Sequence, residues 1–329
     1  MNEQDLLSSG DHKILALLPG KEQVGDILPK VSIGLPVYNG ELFLEQAINS
    51  ILQQTFTDFE LIICDNASTD RTGDICRNYQ SKDPRVRYYR NAANIGGANN
   101  ANLTFLMSRG QYFRWAAHDD ICLPQLLEKC VEVLDNDPSV VLSYGQTINI
   151  NDRGEIIGES LGQLGNSAFP HERLLEISSR AHSCEVIYGL YRSNLLRSTC
   201  LHKNYTDADR TLLCEMALHG KFCQIKEPLF RKRYHSENQY YDWRTRMAWF
   251  DERFKGKIVF PNWIQIYNLF AIINRTPLAV KERLLCYANV VPIFFRNFKE
   301  LFRDLKFMIK MAIHSERWRI KHYDETKGW

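Results

Sequence analysis

Three acid-bearing stretches of this 329-residue chain combine residue types and spacing that could do chemistry. In FRWAAHDDICLP (113–124) two adjacent carboxylates, Asp119 and Asp120, end an aromatic, apolar run. Like charges side by side repel, and burial raises the cost unless a cation or hydrogen-bond donors compensate. Such a pair could chelate Mg2+ or Mn2+ through hard oxygen atoms while the cation also holds substrate phosphates. The plainer alternative is a solvated acidic turn whose charge suits the N-terminus of the next helix. In CDNAST (64–69) Asp65 and Asn66 close a second apolar run, offering ligand contacts or simply turning and capping the chain into a helix. In YTDADRTLLCEMALHGKF (205–222) Asp207 and Asp209 head an amphipathic segment. One of the two can cap that helix, and a carboxylate there could serve as general base toward a hydroxyl nucleophile.

The elements that must position these residues follow from periodicity. VSIGLPV (31–37), FELIICD (59–65), VRYYR (86–90), QYFRWAA (111–117) and VVLSYG (140–145) read as short strands. Between them, 41–54, 69–80, 97–108 and 124–136 carry helical spacing, for example Leu44, Ala47, Ile48, Ile51 and Leu52. Strand and helix alternating through short connections predict an α/β fold with a parallel sheet covered on both faces. Ligands of such sheets bind beyond the strand carboxyl ends, where Asp65, Asn66, Asp119 and Asp120 all fall. The polar, Gly-rich 150–170 stretch reads as a hairpin or loop, CEVIYGLYR (184–192) as a strand, and 209–219 as a helix ending at Gly220. From Tyr240 onward the chain reads as helical, aromatic and basic. The expected organisation is therefore an N-terminal extension (1–29), a catalytic domain (30–239) and a helical C-terminal region (240–329).

Other chemistries find little support. A net charge of +2 argues against a nucleic-acid binder. The nine cysteines are scattered, with no CxxC spacing, which suits reduced thiols of a cytoplasmic protein better than a disulfide framework or zinc site. NIGGANNANL (94–103) lacks the GxGxxG order, and neither GxxxxGK[ST] nor HExxH occurs. GESLG (158–162) matches GxSxG around Ser160, but it lies in the Gly-rich stretch without a strand-to-helix elbow. The N-terminal stretch does not read as a secretory signal, and no apolar run approaches the roughly 20 residues that cross a bilayer.

Taken in order, KVSIGLPVYNGELFLEQAINSILQQTFTDFELIICDNASTDRT, NIGGANNAN, GQYFRWAAHDD, DRTLLCEMALHGKF and RKRYHSENQ resemble the inverting family 2 glycosyltransferases, over about residues 30–238. The resemblance implies a GT-A fold with a Rossmann-like nucleotide-binding half. It implies transfer of a sugar from a nucleotide-diphospho-sugar, UDP- or dTDP-linked, to a glycan or lipid-linked acceptor hydroxyl with inversion, in polysaccharide or glycan assembly. By similarity Pro36, Tyr38 and Asn39 line the nucleotide pocket, joined by Asp65, Asn66, Asn94, Gly96 and Asn100. Asn66 departs from the acid common at its position, and an amide both donates and accepts. Asp119 and Asp120 match the DXD-type motif that holds Mg2+ or Mn2+ on the donor diphosphate, with Asp120 the more direct ligand. His235 matches a histidine near that metal, where Arg231 and Arg233 could add charge. Counted back from Gly220, Asp209 falls at the catalytic base, and Asp207 lies off that register.

Two rivals stand beside this reading. A sugar-1-phosphate nucleotidyltransferase would need a Gly-rich, Arg-bearing loop after the first strand, which PVYNGE is not. A non-catalytic nucleotide-sugar-binding scaffold is opposed by the retained Asp119, Asp120 and Asp209. From Arg296 to Trp329 nine Lys/Arg stand against five Asp/Glu. Leu301, Leu305, Met308 and Ala312 recur at helical spacing there, beside Phe302, Ile309 and Ile313, with Arg303, Lys306, Lys310 and Arg317 around them. Such a helix could float on the anionic cytoplasmic face of a membrane, or simply pack on the catalytic domain.

Overall fold

The computed structural model describes residues 28–160, 162–179, 184–205, 207–235 and 261–296, with isolated positions 298–299, 301–302, 305–306 and 309 beyond. The N-terminal extension lies outside the described residues save for its last two positions. So do Arg303, Met308, Lys310, Ala312, Ile313 and Arg317.

Strand β1 (Val31–Val37) pairs in parallel with β2 (Phe59–Asp65) and β4 (Tyr112–Trp115), and β2 pairs in parallel with β3 (Val86–Arg90). These strands read as apolar runs because helices cover both faces. Helix α1 (Leu44–Leu52) buries Leu44, Ala47, Ile48 and Ile51, one helical stripe against the sheet. Helix α2 (Thr72–Lys82) follows β2. Helix α3 (Gly97–Leu106) crosses the opposite face so closely that a Cβ on Gly34 of β1 would lie 2.2 Å from the Thr104 hydroxyl. The parallel register sets Val37 beside Asp65, so the loops after β1 and β2 emerge together.

Beyond β4 the sheet becomes mixed. The strand order is β3-β2-β1-β4-β8-β6-β9-β5, with β7 on β6 outside that path. Strand β6 (Val140–Ile150) runs past the expected end at 145 and turns back through β7 (Ile156–Glu159) as a hairpin. Strand β8 (Leu190–Arg192) is antiparallel to β4 and β6, whereas β9 (Lys221–Arg233) is parallel to β6. The two-residue β5 (Ile121–Cys122) pairs antiparallel with β9 just after the two aspartates. Helix α4 (Leu126–Asn136) returns the chain to β6. The expected parallel sheet is thus found from β3 to β4, while beyond β4 only β6 and β9 pair in parallel and the other pairs are antiparallel.

The strand expected over 184–192 is present only at its end. Glu185–Tyr188 forms a 3-10 turn entered through Cys184 at φ 55°. The turn sends Val186 and Ile187 together into the core and directs Glu185 toward the Tyr234 hydroxyl, an arrangement that strand alternation would forbid.

Helix α5 (Pro170–Ser179), the short α6 (Ser193–Arg197) and α7 (Ala208–His219) complete the part of the fold before residue 240. Helices α8 (Pro261–Arg275) and α9 (Val280–Arg296) insert Leu269, Ile272, Ile273, Cys286 and Val290 into the main core. Arg275 of α8 bonds the buried Glu215 of α7 through both guanidinium edges, which ties the C-terminal helices to the helix carrying Asp209.

Candidate active site

The loops after β1 and β2 are zipped together by their own polar groups. Asp65 is fully buried and accepts from Ser68 N–H at 2.8 Å, the Tyr88 hydroxyl at 2.8 Å and Arg90 at 2.7 Å. Ser68 Oγ in turn accepts from Asn39 N–H, and Asn39 Oδ1 accepts from Thr69 N–H. Asn39 stands at φ 49°, a left-handed conformation that asparagine tolerates better than most residues. Pro36 is partly covered and Tyr38 is 42% exposed at the mouth of this edge.

Four asparagines form the wall beside it. Asn66, 2% exposed, accepts on Oδ1 from Asn91 Nδ2 at 3.0 Å and Ile95 N–H at 2.9 Å, and it donates from Nδ2 to Asn94 Oδ1 at 2.7 Å. Asn91 Nδ2 also donates to Asn100 Oδ1, and Asn100 Nδ2 donates to the Cys64 carbonyl. Asn94 Oδ1 further accepts from Gly96 N–H, and Gly96 at φ 85° opens α3. An aspartate at 66 would set a carboxylate oxygen against Asn94 Oδ1, two acceptors with no proton between them. The departure at this position is thus matched by its neighbours.

Asp119 and Asp120 lie in the turn between β4 and β5. Asp120 is 5% exposed, and its Oδ1 accepts from Arg233 N–H at 2.8 Å. Burial, then the Asp119 charge, pushes its carboxyl up to about 8. Burial acts on Asp119 in the same direction, but the His235 hydrogen bond and the His118 and His235 charges outweigh it and hold that carboxyl low. His235 donates from Nε2 to Asp119 at 2.8 Å and from Nδ1 to Asp152 at 2.6 Å. The hydrogen bond to Asp119 raises the imidazole above its ordinary value, against burial.

Arg233 is committed elsewhere: its guanidinium bonds the carbonyls of Asp119, Asn151 and Asp152 and the Gln46 side chain, and it stacks over Phe43 at 4.2 Å. It fastens the turn rather than facing a ligand. Arg231 has its Nε buried without a hydrogen-bond partner among the described residues.

Asp209 stands in the first turn of α7 with a side chain 42% exposed. Neither aspartate is seen to cap the helix as expected. Asp207 occupies the N-cap in a left-handed conformation without a side-chain capping bond, and Asp209 Oδ1 instead accepts from His202 Nδ1 at 3.1 Å. Burial favours the neutral acid here, but the His202 hydrogen bond and charge, then Lys232, hold the Asp209 carboxyl below its usual range.

Two residues that the sequence did not single out join the acids. The Tyr188 hydroxyl is pushed well above its ordinary value by burial and then by Asp120, Asp119 and Asp209, so all three carboxylates bear on it. Lys232 lies 3.9 Å from Glu185 and acts on both Asp120 and Asp209. The basic run RKR was the available signal for Lys232; nothing local marked Tyr188. Ser160 donates to Glu185 at the end of β7, with no strand-to-helix elbow.

The donor set fits a hard divalent cation. Two neighbouring carboxylates, one raised by burial and by the other's charge, adjoin an imidazole, and a bound diphosphate would supply further oxygens. Among the described residues, no three His, Cys, Asp or Glu side chains are already gathered as a complete metal cluster.

This architecture is a GT-A fold. Residues 32–187, just under half of the chain, match the model of glycosyl transferase family 2. It is 33% identical over 133 residues to an uncharacterized glycosyltransferase of Methanocaldococcus jannaschii, covering 40% of this chain and 46% of that protein. It is 25% identical over 228 residues to the hyaluronan synthase of Pasteurella multocida, covering 68% of this chain and 22% of the synthase. The chain thus spans less than half the length of these curated relatives. The solved structure of S. aureus TarS 1-349 in complex with UDP-GlcNAc superposes with a TM-score of 0.54 at 16% identity, over 87% of this chain and 92% of TarS 1-349, a likeness of GT-A fold.

Proposed function

We propose that this chain transfers a sugar from a nucleotide-diphospho-sugar to an acceptor hydroxyl with inversion, in glycan or polysaccharide assembly. The observation that carries the reading is the Asp119–Asp120 turn after β4, with Asp120 held by Arg233 N–H and Asp119 by His235, on a chain whose residues 32–187 match glycosyl transferase family 2. The unit doing this is the 30–239 region, with the C-terminal helices packed behind α7.

Pro36, Tyr38, Asn39 and the Asp65–Asn66 loop would receive the nucleoside, with Asn94, Gly96 and Asn100 as its wall. Asp119 and Asp120, with His235 beside them, would hold Mg2+ or Mn2+. When bound, that cation neutralises the diphosphate and the charge that develops on the leaving nucleotide. Asp209, ionised at neutral pH, takes the acceptor proton as the hydroxyl attacks the anomeric carbon from the face opposite the leaving group. A UDP-linked donor is favoured by the UDP-GlcNAc complex of the similarly folded TarS.

The test is nucleotide binding by calorimetry with Mn2+ or EDTA. UDP should bind wild-type protein more tightly with Mn2+, and Asp120→Ala should lose that gain while keeping its melting temperature within a few degrees. Equal binding in all four cases would refute the metal assignment.

A second reading, peripheral membrane contact, is favoured by one observation. Phe295, Phe298, Phe302, Leu305 and Ile309 expose 43–66% of their surface along the last described turns. No described helix is long and apolar enough to cross a membrane. An aromatic face with basic neighbours suits an interfacial helix near a lipid-linked acceptor.

A further inference from the structure

The loop before α7 does more than connect. The His202 backbone is clamped by Asn102 of α3: His202 N–H donates to Asn102 Oδ1 at 3.0 Å, and Asn102 Nδ2 donates to the His202 carbonyl at 2.8 Å. Its ring stands edge-on to Trp115 of β4 with centroids 4.4 Å apart, and Trp115 is itself anchored by its indole N–H to the Ala101 carbonyl. The imidazole, 11% exposed, is thus fixed from two elements and directs Nδ1 at Asp209 Oδ1. A half-exposed acid has several rotamers, and a fixed donor selects one of them.

We infer that His202 is the positioning residue of the Asp209 carboxylate: it occupies Oδ1 and leaves Oδ2 to the acceptor hydroxyl. The inference rests on Asp209 as the base. His202 does not touch the sugar or the nucleotide in this scheme and acts only through Asp209. The other groups bearing on the pair are Lys232 from β9, Cys184 and Tyr188 from the 3-10 turn, and Tyr191 from β8.

Two variants separate positioning from packing. His202→Phe keeps a ring against Trp115 and deletes the donor. His202→Asn deletes the ring and keeps an N–H close to the place of Nδ1. Turnover is read as nucleoside diphosphate release from the donor that wild-type protein consumes among UDP-glucose, UDP-GlcNAc, UDP-glucuronate and GDP-mannose. His202→Phe should lower kcat about 10- to 100-fold with donor KM unchanged. It should also move the acid limb of the kcat profile to higher pH, because Asp209 loses the group that depresses it. His202→Asn should recover most of the rate despite a lower melting temperature. A purely packing role predicts the reverse order, with Phe near wild type and Asn impaired, and an unmoved limb; that result overturns the inference.

One arm needs no substrate. In 15N spectra the wild-type His202 ring should carry its proton on Nδ1, and Asp209→Asn should shift that nitrogen; no shift also overturns the inference. Failure of the underlying reading looks different: Asp209→Asn would then turn over normally, whatever His202 does.

Discussion

The two ends of the proposed site are built by different means. The donor end is prewired: Asn66, Asn91, Asn94 and Asn100 hydrogen-bond one another, and Asp65 is held by Ser68, Tyr88 and Arg90. The acceptor end is assembled at long range, from Asn102, Trp115, Tyr188, His202, Asp209 and Lys232, and its acid remains half exposed. A locked wall suits a ligand whose nucleotide part is constant. An open, single-bonded carboxylate suits a group that must meet and deprotonate a variable acceptor. Substitutions at the first end should therefore cost stability, and those at the second should cost rate.

The largest expected effect is on rate. Asp209→Asn should lower turnover by roughly 10²–10⁴-fold, the range of a lost general base, while donor affinity by calorimetry stays within a factor of a few. Near-normal turnover would move the role elsewhere, with Asp207 next to test.

Next comes a stability effect behind the donor end. Glu60 is 4% exposed and accepts from Ser32, Arg87 and Arg109. Burial opposes its ionisation, yet these partners outweigh it and hold the carboxyl below its usual value. Glu60→Gln should cost about 2–3 kcal/mol in urea denaturation at pH 7, below the full cost of breaking a buried pair because both arginines are partly exposed. The sign with pH follows. A depressed folded pKa contributes stability above the unfolded value near 4, lost as pH falls through the folded value. The gap between wild type and variant should therefore narrow on acidification, and a gap that widens would contradict the assignment.

A smaller loss tests the asparagine wall. Asn66→Asp should cost about 1–2 kcal/mol at pH 7, since Asn94 Oδ1 then faces an acceptor. Much of it should return near pH 4, where a protonated acid can donate again. An unchanged or stabilised variant would show that the amide network is not what holds the wall.

The smallest effect on folding is expected at the exposed aromatics. The Phe298→Ser/Phe302→Ser double variant should change stability by less than about 0.5 kcal/mol and still weaken co-sedimentation with anionic liposomes. Equal pelleting of variant and wild type would remove the membrane reading.

The donor end was legible in the sequence because local chemistry fixes it: β1, β2 and β3 have the expected bounds, and the acid-amide loops sit at their carboxyl ends. The DD turn was legible for the same reason. The sequence did not reveal the mixed half of the sheet, because β8 has three residues and β5 two, too short for a periodic signal. The 184–192 run misled because its apolar residues fit a strand as well as a 3-10 turn. His202 and Tyr188 carried no motif; their importance comes from neighbours far along the chain, such as Asn102, 100 positions from His202. Arg233 looked like a free cation in RKRYH and is spent on backbone carbonyls.

The central claim is that one site, built from Asp119, Asp120 and Asp209, performs metal-assisted sugar transfer. The most direct measurement is nucleoside diphosphate release from UDP-glucose, UDP-GlcNAc, UDP-glucuronate and GDP-mannose by the wild-type chain, in Mn2+ and in EDTA, beside Asp120→Ala and Asp209→Asn. The account predicts release from at least one donor in Mn2+, abolished by EDTA and by Asp120→Ala, and cut by 10²-fold or more in Asp209→Asn. Release that persists in EDTA and in both variants would contradict it, and no release from any donor by folded, UDP-binding protein would favour the non-catalytic scaffold.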